Sequence, residues 1–363
     1  MTFATRHEAT IEDETAVFTM AVNPMSESRS STVRYRASSG RFTADQAHVG
    51  DQEPKGDLRP PVVDPTILRD HLTDLGGGVG LEVTAQIGRR KYRDSTGFRI
   101  ENIRTWFNVQ LFSNSREDGA SVRDGTDDLS SVPELLSGMA QDLLDQRRRQ
   151  SFPVHRLPRR ATLVLPSNLA GILVHELVGH LLEEANPERV GPKGFSVEAR
   201  LPPGREFDDF GEPVQNRLLV MDGAVPHLDR EERVKGFAQA GWHQVPPIPR
   251  FTNLTVFPYM SSDAVLREEY VVCHRSRGAE LIGRRAVVTV DDAELIRGET
   301  AVGRFQPFMF VVDVEALGDA MVALLGASLP GRAGTCVKAG QGLPTRVTSP
   351  LIVLDGVALY ELT

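Results

Sequence analysis

Hydrophobic and polar positions along the chain divide it into blocks of different character. Over residues 1–62 the periodicity is weak, because 26–32 and 38–61 are polar and rich in Ser, Gly, Asp and Pro. Only the alternation Thr32-Val33-Arg34-Tyr35-Arg36 reads as a strand, and parts of the first ~60 residues are expected to be mobile. Residues 64–75 suggest a short helix, with Asp64 as cap and Pro65 at the first helical position. From Val79 the pattern becomes β, with strand-like runs at 80–86, 98–103 and 106–112 and a turn at Asp94-Ser95-Thr96-Gly97. A helix follows over 132–149, with Ser130 and Ser131 as cap candidates and Leu135, Leu136, Met139, Leu143 and Leu144 as its apolar stripe.

A second block begins near Arg160. Residues 161–165 read as a short buried strand, Pro166-Ser167-Asn168 as a turn and N-cap, and 169–184 as a helix. Beyond Pro187 short strands alternate with Gly/Pro turns, at 217–221, 254–257, 286–290, 308–314 and 351–354, and one helix is expected over 316–325. No internal repeat is present. The pattern predicts an α+β chain: an N-terminal α/β domain over 1–155, then a β-rich, mainly antiparallel domain over 156–363 with one motif-bearing helix.

Composition narrows the function. The chain has 363 residues, 40% hydrophobic and 25% charged, as in ordinary globular proteins. With 41 basic against 49 acidic residues the net charge is -8, which disfavours nucleic acid and anionic membrane as principal partners. Arg147-Arg148-Arg149 and Arg159-Arg160 flank a helix end and a strand start, where solvated charge is expected. The two cysteines, Cys273 and Cys336, are too few for a secreted disulfide framework. No apolar leader is evident in residues 1–19, and no run reaches the roughly 18 apolar residues that span a bilayer. A cytoplasmic location is expected.

Candidate chemistry gathers in His175-Glu176-Leu177-Val178-Gly179-His180. Imidazoles are good zinc ligands, and an adjacent carboxylate can take a proton from a water activated by the metal. The usual zinc-peptidase helix spaces its histidines four apart, whereas these are five apart. In a regular α-helix five residues turn through about 500°, which leaves the two side chains roughly 140° apart. A π-bulge would absorb the extra residue, and Gly179 would ease the distortion. Without one, the run is a helix whose polar edge happens to hold two histidines. A zinc site needs a third ligand. Cys336 is a candidate, in the glycine-rich Gly334-Thr335-Cys336-Val337-Lys338-Ala339-Gly340-Gln341-Gly342, with Lys338 placed to favour thiolate. On spacing alone, an inert buried cysteine remains open. Cys273 and His274 are strand neighbours that point to opposite faces, a poor arrangement for sharing a metal.

These residues resemble a known family. Leu173 through Glu183 is similar to the motif of TldD/PmbA metallopeptidases, in the metal-bearing TldD-like branch. In order, Phe207-Asp208-Asp209-Phe210-Gly211-Glu212-Pro213 resembles the family's acidic turn, and Pro247-Ile248-Pro249-Arg250-Phe251-Thr252-Asn253 its Pro-x-Pro-Arg segment. Gly334-Thr335-Cys336 with Lys338, Gly340 and Gln341 resembles the C-terminal loop. The resemblance covers 161–363, and loosely 94–112. It implies one zinc per chain held by His175, His180 and Cys336, with Glu176 as general base in peptide-bond hydrolysis. It also implies a TldE/PmbA-like partner subunit without the metal motif, unless the partner is another copy of this chain, and unfolded or modified peptides as substrates. Arg250 and Asn253 are candidates to grip a peptide backbone, against a structural role in the turn, and Glu183 to orient an imidazole. The chain departs from the family at Val337, where Gly is usual, and over 241–245, which lack an Arg-rich run. Two other readings follow: hydrolysis of amide or C–N bonds in a peptide-derived metabolite, and a noncatalytic binding subunit.

Overall fold

The computed structural model describes residues 9–23, 28–43, 46–52, 79–94, 97–113, 120–202, 205–241, 247–258 and 268–362. The expected helix at 64–75 lies outside them, as does 242–246 of the segment that lacks the Arg-rich run.

The first sheet contains β1 (Ala9–Asn23), β2 (Ser28–Thr43), β3 (Gln46–Gln52), β4 (Val79–Asp94), β5 (Arg99–Ser113) and β6 (Ser121–Thr126). Its order is β3-β2-β1-β4-β5-β6, antiparallel throughout. The strand at 32–36 is therefore part of a 16-residue strand, and 28–31, 38–43 and 46–52 of the polar flanks join the same sheet. The runs at 98–103 and 106–112 are one strand, β5, paired residue for residue with β4. Gly97, before β5, has φ 89°, while Ser95 and Thr96 of the expected turn lie outside the described residues. Val79, Leu81, Val83 and Ala85 of β4 and Phe107, Val109 and Leu111 of β5 alternate onto one face. The helix Val132–Gln150 covers that face with Leu136, Met139 and Leu143, while Leu144 is 44% exposed. Its N-cap is Ser131, whose side chain makes no capping bond.

The second sheet has twelve strands. They are β7 (Val154–His155), β8 (Arg160–Leu165), β9 (Phe195–Arg200), β10 (Arg217–Val220), β13 (Asn253–Pro258), β14 (Glu269–Ile282), β15 (Arg285–Arg297), β16 (Thr300–Phe305), β17 (Phe308–Asp313), β18 (Met321–Pro330), β19 (Gly334–Lys338) and β20 (Gln341–Glu361). The two-residue strands β11 (Ala238–Gln239) and β12 (Ile248–Pro249) pair separately. β20, 21 residues long, is the spine and pairs with β8, β13, β17, β18 and β19. Most pairs are antiparallel, but β13/β20, β14/β8 and β16/β7 are parallel. The helix expected over 316–325 is confined to Leu317–Ala320, capped by Ala316, and 321–325 belong to β18. There Ala323 is fully buried in the sheet against Val164 and Val353, so tertiary burial overrides the helical propensity of Ala and Leu.

The helical run 167–184 passes through the core of this second unit. Its N-cap is Pro166 rather than Asn168, whose amide donates to His274 O at 2.8 Å. Leu169, Leu173, Leu177 and Leu181 are buried, and so are Ala170, Val174, Val178 and Leu182. Both sets recur every four residues, whereas an α-helix repeats every 3.6 or so and would drift off one face. The drift is corrected by a π-helical segment, His175–His180, between α-helical Ser167–Val174 and Leu181–Glu184. No helix of the described residues is long and apolar enough to cross a membrane.

Candidate metal centre

The π segment places the two histidine rings together, with centroids 4.7 Å apart and planes at 67°. Gly179 contributes through space, not through unusual backbone angles. A Cβ there would lie 3.3 Å from His175 Nδ1 and 3.6 Å from Phe251 O.

The glycine-rich segment is a β-hairpin, not an open loop. β19 and β20 pair Cys336 with Leu343 and Lys338 with Gln341 across the two-residue turn Ala339-Gly340. Both turn residues have positive φ, 50° and 76°, as a type I′ hairpin turn requires. Cys336 and Lys338, two apart, share a face of the strand and meet the helix as successive rungs. Cys336 Sγ lies 3.1 Å from His180 Nε2, and Lys338 Nζ lies 2.6 Å from Glu183 Oε2. Val337 points the other way and is 68% exposed, so the departure from Gly falls on the surface.

His175, His180 and Cys336 bring one donor atom each within 4.8 Å of one another. Donors about 2.0–2.3 Å from one tetrahedral zinc stand about 3.3–3.7 Å apart, so small side-chain rotations complete the set. Both ring nitrogens of His175 are buried without a hydrogen-bond partner. Leaving such groups unpaired is costly, and a metal bound to one nitrogen would compensate it. The two-nitrogen, one-sulfur donor set suits zinc. The residues fit the ion.

Electrostatics fit as well. Burial pushes the Cys336 thiol up, but the two imidazoles beside it outweigh burial and draw it down towards thiolate. Burial lowers His180 in turn, and Cys336 and Glu183 more than reverse it. Glu183 is fully buried, and burial raises its carboxyl, yet His180 and Lys338 hold it down at about 2. An ionised carboxylate only accepts, so His180 Nδ1–H donates to Glu183 Oε2 at 3.1 Å, and Nε2, 3.1 Å from Cys336 Sγ, is the nitrogen left to a metal once the proton shared with the thiolate is displaced. Glu183 Oε1 also accepts Phe251 N–H at 2.7 Å, which ties the helix to the Pro-x-Pro-Arg segment. Lys338 therefore serves Glu183 and Glu184, 2.6 and 2.9 Å away, in place of the expected thiolate.

Glu176 is buried beside the cluster, at 7% exposure. Burial raises its pKa against the pull of His175 and His180, and its carboxylate accepts the Leu281 backbone N–H.

Arg250 does not face open space. It is fully buried and donates to Cys336 O at 2.8 Å and Gln341 O at 3.1 Å, so its guanidinium grips the hairpin from within instead of a substrate. Asn253 begins β13, opposite Arg346 and Arg200, and is partly buried in the ladder. Behind Arg250, Gln239 Nε2 donates to its carbonyl at 2.9 Å, and Gln341 Oε1 accepts Gly241 N–H at 2.7 Å. The acidic turn is a brace. Asp208 accepts the N–H groups of Phe210, Glu212 and Ala238, while Asp209 pairs with Arg90, Arg104 and Arg205 and accepts Ala240 N–H. The sequence gives no local sign of these partners, because Arg90 and Arg104 come from β4 and β5 of the other sheet. Elsewhere Cys273 is fully buried, and His274 Nε2 lies 2.9 Å from Glu294.

No protein-family model matches the sequence, and no curated protein matches it. Solved structures do match its fold. TldE from Thermococcus kodakarensis has a TM-score of 0.67 at 12% identity, covering 98% of this chain and 97% of that one. A protein described as a candidate modulator of a DNA gyrase, from Thermotoga maritima, has 0.69 at 10% identity, covering 98% and 96%. Another so described, from Bacteroides thetaiotaomicron, has 0.66 at 12% identity, covering 98% and 95%. Over nearly its whole length, this chain has the fold of TldE and of these modulator proteins.

Proposed function

We propose that the chain is a zinc-dependent hydrolase of peptide bonds, of the TldD-like kind, acting on unfolded or modified peptides. One observation carries this reading: His175, His180 and Cys336 converge although two helical turns and a distant hairpin supply them, and His175 has both nitrogens buried and unpartnered. Zinc held there would polarise a carbonyl and acidify a water molecule. The chain's own residues do the rest. Glu176, whose carboxyl burial raises above its ordinary pKa, would take a proton from that water on its carboxylate and return it to the leaving amine. Glu183 fixes the tautomer of His180, and Arg250 holds the Cys336 backbone.

The fold likeness to TldE does not separate a metal-bearing subunit from one without metal, and the donor set is what favours the metal-bearing reading. The same likeness supports a homologous partner subunit. The gyrase descriptions belong to those proteins, and a net charge of -8 argues against direct DNA contact here. A buried donor set also serves the alternative substrate, an amide or C–N bond in a peptide-derived metabolite. Glu176→Gln should retain about one zinc per chain and lose about 10²–10⁴-fold in hydrolysis of an unfolded peptide. Full hydrolysis by that variant would sink the mechanism.

A further inference from the structure

Cys336 depends on more structure than the two histidines do. The histidines share one helical run, whereas Cys336 Sγ stays beside His180 only while its hairpin keeps its place. Arg250 holds the hairpin from inside. Its base is held from another direction, by β6 of the N-terminal sheet.

Asp124 of β6 is buried, and its Oδ1 accepts Ala333 N–H at 2.8 Å as well as Gly125 N–H at 2.7 Å. Ala333 immediately precedes β19. On the opposite arm Arg346, next after Thr345 of the last hairpin pair, donates to Gly125 O. Arg332 and Arg346 place positive charge around Asp124, and Arg332 also pairs with Asp142 of the long helix. Gly125 is packed too closely for a side chain, because a Cβ would lie 2.5 Å from the Trp106 ring and 2.9 Å from Phe107 O. Two consecutive residues of β6 therefore clip both arms of the hairpin that carries the sulfur donor.

We propose that Asp124 is a positioning residue for Cys336, so that docking of the N-terminal sheet and metal binding at His175, His180 and Cys336 stabilise one another. The proposal rests on the zinc reading above. Reciprocity follows from linkage: whatever the clip adds to metal affinity, bound metal returns to the docked sheet.

The test uses the full chain and zinc ion alone, titrated in competition with a chromophoric chelator, with the thiolate-to-cadmium absorption band as second readout. Asp124→Ala should weaken zinc binding about 10–100-fold and diminish the cadmium–thiolate band at saturation. Asp124→Asn keeps an oxygen for both N–H groups and should stay within about threefold of wild type. Arg275→Ala cuts a contact of β6 that does not reach the hairpin, the bond to Ser121 O, together with the Asp291 pair, and should lose clearly less affinity than Asp124→Ala. If Asp124→Ala loses its far-UV circular dichroism, Arg346→Met removes the other clip and should show the same loss of affinity. Wild-type affinity in Asp124→Ala, or an equal loss in Arg275→Ala, overturns the proposal alone. A wild-type chain that takes up no zinc overturns the metal reading with it.

Discussion

At the scale of single residues, Gly179 leaves the donor group little slack. A methyl group there would sit 3.3 Å from His175 Nδ1 and 3.5 Å from Leu254, so the ring must move. Gly179→Ala should therefore weaken zinc binding by about tenfold or more in chelator competition, and unchanged affinity would contradict the packing argument. Arg250→Met tests the grip on the hairpin. It leaves Cys336 O and Gln341 O without their buried donors, at about 1–3 kcal/mol each, which urea unfolding would detect. Residue types and order single out His175, Glu176, His180, Glu183 and Cys336, which the structure brings together. For Arg250 they left a gripping role and a structural role both open, and its burial, which favours the structural one, depends on strands far away in sequence. Lys338, whose position in sequence suggests a partner for the thiolate, pairs with Glu183 and Glu184. Two residues along a strand span about 6.6 Å, which carries its amine past the thiol to Glu183.

At the scale of elements, the surplus residue of the histidine motif and the four-residue spacing of its buried neighbours are one fact. Both are satisfied by the π segment His175–His180. The anomaly in the motif was visible in the sequence, as was the helix around it. The hairpin was legible only as a glycine-rich stretch, since its strand character comes from pairing with β20. Its turn places Ala339 at φ 50°, a conformation that costs a non-glycine residue about 1 kcal/mol and that Asn tolerates better. Ala339→Asn should raise the thermal midpoint slightly without altering metal content, whereas a lowered midpoint would contradict the turn assignment. At 316–325 the sequence pattern predicts helix, and the structure has helix to Ala320 and strand from Met321, because Leu324 and Ala323 fill sites between neighbouring strands.

At the scale of the molecule, buried charge joins the two sheets. Arg149 at the end of the long helix pairs with Asp292 of β15 through contacts as short as 2.6 Å, with both side chains about nine-tenths buried. This replaces the solvated charge expected for that arginine. Arg149→Ala should cost about 3–5 kcal/mol by stranding Asp292, and Arg149→Met with Asp292→Leu should recover most of it in a urea double-mutant cycle. Asp209 makes the second joint pH-dependent. Burial raises its carboxyl, but Arg104, Arg205 and Arg90 outweigh burial and hold it below its ordinary 3.8. A depressed carboxylate stabilises the fold above that value, and the contribution is lost as pH falls below it. Stability should drop below about pH 4, less steeply in Asp209→Asn, and equal slopes would remove Asp209 from the account. Nearer the site, Arg250 and the Lys338–Glu183 pair hold the hairpin against the helix, so separate elements converge on three donors. X-ray absorption at the zinc edge tests that convergence most directly. Zinc-loaded protein should show one sulfur neighbour at about 2.3 Å and imidazole nitrogens at about 2.0 Å, with the sulfur lost in Cys336→Ser. Zinc bound without a sulfur neighbour, or unchanged by Cys336→Ser, would contradict it.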